Sequence, residues 1–223
     1  MNYLAHGFRF LDDPLFVAGT AVPDWLAVAD RAVRVRSRRI QAGYDQLTLP
    51  GRSVADGIRQ HLKDDDLFHR CPDFLYLEAE LGSRFRRLMA DPFDHRPGFL
   101  GHIVTELLLD ALLAERDPTL LSRYYTCLES VDPLLVQETV NQLCPRQTDR
   151  LAGFIQAFQQ TKFLYDYLDD RLLLGRLNQV LRRVKLPGMQ DECCSVLRDA
   201  RSLLRVHGDA LLSCLEQRPQ DKG

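Results

Sequence analysis

GFLGHIVTELLLDALLAE, residues 98–115, is apolar on almost every side when wound as a helix, yet it carries His102, Glu106 and Asp110 at four-residue spacing. Phe99, Leu100, Ile103, Val104, Leu107, Leu108, Leu109, Leu112 and Leu113 surround those three groups. A helix that is apolar all round is buried, and burying three ionisable side chains is expensive unless they are paired or bound to a cation. Positions i, i+4 and i+8 lie along one side of a helix, so the three form a ladder of nitrogen and oxygen ligands. The segment therefore reads as a buried helix supplying a metal site. A buried ion pair with an arginine from elsewhere is the alternative.

A second ladder, His61-x3-Asp65-x3-His69, stands earlier in the chain. Asp64 and Asp66 flank it, rotated by about 100° to either side, and read as solvated or supporting groups. His6 and Asp24 are placed at element boundaries, from which a side chain can aim into a cleft; Asp24 equally suits a helix cap. Two ladders facing each other across a bundle would make a pocket for one or two divalent ions. Zn²⁺ leads, with Mn²⁺, Ni²⁺ or Fe as alternatives.

The rest of the chain agrees with a helical fold. Leu, Ala, Arg, Gln and Glu dominate, apolar residues recur at three- and four-residue spacing, and strand signals are weak. The predicted fold is a single all-α domain over residues 1–223. Residues 1–115 carry the metal site between helices, and residues 116–223 supply packing, a lid or an oligomer surface. Asp12-Asp13-Pro14 is expected to end a first helix, Gly19 to Pro23 to form a loop, and Pro23 to start a helix reaching Arg39. Ser53 is expected to cap a helix running to Arg70. A long helix over 148–185, bent at Gly153 or Gly175, and a last one from Asp191 to Glu216 complete the set, with the tail QRPQDKG frayed.

Composition narrows the function. The formal net charge is −2, which argues against a nucleic-acid coat or a polybasic membrane anchor. Apolar runs are short and broken by charge, so no transmembrane span is expected. The N-terminus shows no positive region followed by an apolar block, so no signal peptide is expected. The six cysteines include no C-x-x-C pair and read as reduced, largely buried thiols of a cytoplasmic protein. No G-x-S-x-G, P-loop or G-x-G-x-x-G motif occurs, so serine nucleophiles and nucleotide cradles have no local support. Arg31, Arg34, Arg36, Arg38 and Arg39 either complement a helix C-terminus or bind a phosphate-bearing partner.

The opening MNYLAH, the Gly19 to Asp24 segment and GIRQHLKDDD from Gly57 resemble the acyl carrier protein phosphodiesterase family, within the helical HD-type metallohydrolases. That resemblance implies a divalent metal, removal of a phosphopantetheine arm, and His6, Asp24, His61 and Asp65 in the metal site. The helix GFLGHIVTELLLD is similar to the G-[FY]-x-x-H-x-x-x-[DE] helix of zinc-dependent phospholipase C and its nuclease relatives. On that likeness His6, Asp24, His61, Asp65, His69, His102 and Glu106 would all be ligands. Both resemblances lie within roughly the first 115 residues.

Taken together, the sequence points to a metal-dependent phosphoesterase, preferably a phosphodiesterase, using metal-activated water. Asp110, His69 or His95 would be general acid or base, and Asp24 or Asp65 a bridging carboxylate. The substrate would be a phosphate ester, carried by acyl carrier protein or a phospholipid, and the chain could pair as a homodimer. A metal-binding protein without turnover and a helical interaction module are the rival readings.

Overall fold

The computed structural model describes residues 1–89, 94 and 96–216, and these contain helices and no strand. The α-helices are α1 (Tyr3–Gly7), α2 (Pro14–Ala29), α3 (Ser37–Gly43), α4 (Leu49–Phe68), α5 (Pro72–Arg87) and α6 (Arg96–Arg116). Beyond them lie α7 (Leu120–Glu129), α8 (Pro133–Leu143), α9 (Leu151–Thr161), α10 (Asp170–Arg183) and α11 (Cys193–Glu216). The helices form two compact units, each drawing on both sequence halves, and the division falls inside α4.

The first unit comprises Asn2–Asp65 and Asp117–Phe163. Its hub is α2, against which α1, α7, α8 and α9 pack. Leu4, Val17, Ile58 and Tyr124 are buried there, and Trp25 meets Phe158 edge-on with ring centroids 5.4 Å apart. The second unit comprises Met1, Asp66–Arg116 and Leu164–Gly223. In it α5 packs along α6, and α11 lies against both. Leu77, Leu81, Phe85, Leu100, Val104, Leu108 and Leu204 fill that core. By length and composition α6 could cross a membrane, and most of its apolar window is buried inside the protein.

Several boundaries differ from the sequence expectation, each for a local reason. The first helical run stops at Phe10, just before Asp12-Asp13-Pro14, and the Asp13 carboxylate also caps α2 by accepting from the Phe16 N–H at 3.1 Å, with Pro14 in the first turn. Gly19 to Pro23 are helical within α2, which stops at Ala29, so the arginines from 31 to 39 do not form one basic helix end. Helix α4 begins at Leu49, and the Ser53 hydroxyl donates to Asp13 instead of capping. The expected helix over 148–185 is broken at Lys162, whose left-handed backbone (φ 46°) closes α9, and not at a glycine. Cys71 and Cys214 are joined by a disulfide across 143 residues, which corrects the reading of six reduced thiols. Nothing in their spacing could reveal that pair. Cys127, Cys144, Cys193 and Cys194 are free, and burial pushes the Cys127 thiol up to about 11.

Glycine sets two helix crossings. A Cβ on Gly19 would fall on the Val54 carbonyl of α4, and one on Gly57 would fall on the Phe16 carbonyl of α2. In the other unit a Cβ on Gly101 would strike the Glu78 carbonyl of α5. These contacts, and not turns, are why glycine stands at those positions. Gly153, by contrast, has open space around its missing Cβ. Replacing Gly57 or Gly101 by Ala is expected to cost about 1–3 kcal/mol through forced separation of the helices. Gly153→Ala is expected to stabilise by about 0.5–1 kcal/mol. Denaturant unfolding of the three variants reads both signs.

Candidate metal centres

Each unit holds one group of three residues whose ligand atoms all lie within 4.8 Å of one another: His6, His61 and Asp65 in one, His69, His102 and Glu106 in the other. The first sequence ladder is thereby divided. His61 and Asp65 join His6, whereas His69, just past the end of α4, joins the pair on α6.

In the first group, His61 and Asp65 sit one turn apart on α4, four and eight residues beyond the glycine crossing at Gly57. Because α2 approaches so closely there, the Thr20 carbonyl reaches His61 Nδ1 at 2.7 Å. A carbonyl only accepts, so Nδ1 carries the proton and donates it. The other nitrogen, Nε2, faces Asp65 Oδ2 at 3.4 Å. His6, from α1, stacks on His61 with centroids 3.9 Å apart and brings its Nε2 to 3.3 Å from Asp65 Oδ1. Neither ring nitrogen of His6 makes a hydrogen bond among the described residues. Behind it the buried Asp64 accepts from Arg9 at 2.8 Å and from Gln60 at 2.7 Å, which makes it a support and not a solvated group.

The second group repeats the plan. Gly101 admits α5 close to α6, and Glu78 Oε1 lies 3.1 Å from His102 Nδ1. The Glu78 carboxylate accepts, so His102 presents Nε2 to Glu106 Oε1 at 3.2 Å. His69 Nε2 lies 3.1 Å from the same oxygen, and the two imidazoles stack at 4.9 Å. Phe74 meets both rings edge-on, at 5.1 Å and 5.0 Å. The Met1 amino group is a further 3.1 Å neighbour of Glu106.

This geometry makes an electrostatic demand. An unprotonated Nε2 and a carboxylate oxygen are both electron-rich, so they repel at these distances unless a proton or a metal cation lies between them. Burial alone would push the Asp65 and Glu106 carboxyls up. Instead the His6 and His61 nitrogens hold Asp65 far below the usual carboxylate range, and the Met1 amine, His102 and His69 do the same for Glu106. Glu106, against a smaller desolvation effect and with help from Glu78, raises His102. Imidazole nitrogens and carboxylate oxygens, with the Nδ1 of His61 and of His102 already tied, are a donor set suited to Zn²⁺ and similar divalent ions.

Of the other sequence candidates, Asp24 lies on α2 and Asp110 is buried on α6 one turn beyond Glu106, and the structure brings neither into a group of ligands. His95 lies outside the described residues. The remaining histidine, His207, contacts Asp73 at 2.6 Å. Sequence reasoning missed Glu78 and the Thr20 carbonyl. The available signal was glycine: Gly57 stands one turn before His61, and Gly101 directly before His102.

Compared with protein-family models, with curated proteins and with solved structures, the chain matches none of them.

Two measurements test this geometry. Glu78→Ala is expected to weaken divalent-ion affinity by about 10–100-fold, and Glu78→Gln, which keeps an acceptor, by less; competition with a chelating dye reads both. The second is the pH dependence of the metal-free chain. The raised His102 contributes stability below about pH 6.5 that is lost as pH rises through its folded value. The lowered Asp65 and Glu106 contribute above about pH 4.3 and lose it on acidification. Thermal melts in chelator are therefore expected to peak between about pH 4.5 and 6.5. Saturating Zn²⁺ is expected to move that optimum upward, because the ion competes with protons.

Proposed function

We propose that this chain is a metal-dependent phosphoesterase, and most specifically a phosphodiesterase that employs metal-activated water. The observation that carries the reading is the pair of groups in which an orientation-locked Nε2 faces a carboxylate one helical turn further on. His6, His61 and Asp65 would hold one divalent cation, and His69, His102 and Glu106 another, with Zn²⁺ preferred and Mn²⁺, Ni²⁺ or Fe as alternatives. Such cations acidify a bound water and polarise a phosphoryl oxygen. The protein's own part is to keep the imidazoles oriented through Thr20 and Glu78 and to keep both carboxylates ionised.

The MNYLAH opening, the GIRQHLKDDD segment and the His102-to-Glu106 helix support the same class through their resemblance to acyl carrier protein phosphodiesterases and zinc-dependent phospholipases C. The substrate proposed on that basis is a phosphate diester attached to acyl carrier protein or to a phospholipid.

Purified protein is expected to take up Zn²⁺ or Mn²⁺ and to hydrolyse bis(4-nitrophenyl) phosphate. Chelation should abolish this activity and re-addition of the ion restore it, while Glu106→Gln should lower it on the order of 100-fold or more. Uptake below about a tenth of an equivalent would remove the metal premise. Metal uptake without hydrolysis of any phosphoester would leave a cation-binding protein without turnover.

A further inference from the structure

The two groups share a plan but differ in how they meet solvent. In the His6 group the imidazole side chains are 0% and 3% exposed, and only Asp65 reaches water, at 32%. In the His69 group the imidazoles are 35% and 33% exposed, and it is the carboxylate, at 12%, that is withdrawn. The environments behind the ligands differ in the same sense. His6 is backed by the buried Asp64–Arg9 pair, whereas the Glu78 that orients His102 also lines an open cavity of about 590 Å³. That cavity runs over Leu75, Gly82 and Pro97 and is edged by Arg86 and Arg87.

A metal site that serves structure is closed by protein ligands, while one that serves catalysis keeps a position for water or substrate. We infer that the two cation positions divide these tasks. His6, His61 and Asp65 hold a resident ion that exchanges slowly and maintains the packing of α1 against α4. His69, His102 and Glu106 hold the exchangeable ion that meets a phosphate ester arriving through the cavity beside Glu78. This rests on the phosphoesterase reading and adds to it which ion does which work. Removing the resident ion leaves two stacked, buried imidazoles beside Asp65 with no ion to hold α1 against α4. Removing the other leaves partly exposed groups that water can solvate.

The test uses the full-length chain loaded with Zn²⁺ and challenged with the chromogenic chelator 4-(2-pyridylazo)resorcinol. Two equivalents are expected to leave in phases separated on the order of tenfold or more in rate. Hydrolysis of bis(4-nitrophenyl) phosphate is expected to disappear with the fast phase and return when Zn²⁺ is added back. Glu106→Gln is expected to lack the fast equivalent and keep the slow one. Asp65→Asn is expected to lack the slow equivalent and to melt lower by about 5 °C or more. Should Asp65→Asn fail to fold, Glu106→Gln decides alone: a retained slow equivalent supports the division, and its loss overturns it. A single common rate, or activity that survives the fast phase and vanishes with the slow one, would overturn the division while leaving a metal-dependent enzyme. Failure to bind Zn²⁺ at all would remove both readings.

Discussion

An imidazole nitrogen and a carboxylate oxygen rest face to face at 3.2–3.4 Å only with a proton or a metal cation between them, and this chain brings such a pair together twice. The pairing begins with missing side chains. Gly57 and Gly101 let neighbouring helix backbones come close enough for the Thr20 carbonyl and the Glu78 carboxylate to take the Nδ1 protons of His61 and His102. With Nδ1 committed as a donor, it is Nε2 that each ring presents to its acid. A larger residue at either crossing would part the helices and free the ring. Packing and chemistry are thus one constraint in this protein.

The helical class was legible because it depends on periodicity, which α5 and α10 display in their recurring apolar positions. The juxtaposition of His61 with Asp65 and of His102 with Glu106 was legible for the same reason, since His-x3-carboxylate is a one-turn relation. Partners brought by tertiary structure were not. The sequence offered His61, Asp65 and His69 as one ladder, but α4 ends at Phe68, and past that point the chain no longer keeps the helical register. His69 therefore turns to Glu106, across 37 residues. The Cys71–Cys214 bond is the extreme case, because no local pattern encodes a link across 143 residues.

Punctuation residues misled in a consistent way. Gly19 and Pro23 look like stops, yet α2 passes through both, while the Asp12-Asp13-Pro14 run both follows one helical segment and starts α2. Asp-Pro marks a helix start as readily as an end, since the Asp side chain caps and the proline needs no N–H in the first turn. Asp13 and Asp132 both act this way, while Asp117-Pro118 follows the end of α6. A glycine inside an apolar helix is similarly ambiguous between a break and a close contact, and only the neighbouring helix decides. At Lys162 the reverse holds, because a residue with no reputation as a breaker takes the left-handed conformation.

The contrast between the two groups follows from where each second histidine stands. His6 belongs to α1, every residue of which is buried, so its ring enters the site with no route to water and stacks tightly on His61. His69 follows the last turn of α4, where the backbone leaves the helix and the side chain keeps a third of its surface exposed. The carboxylates complement this. Asp65 has one methylene and stays near the helix surface, whereas Glu106, on the apolar α6, reaches inward and is withdrawn. The same His-x3-acid turn is thus enclosed or open according to the element that supplies the second imidazole. Burial strengthens the charge interactions of the enclosed group, while exposure lets water screen those of the open one.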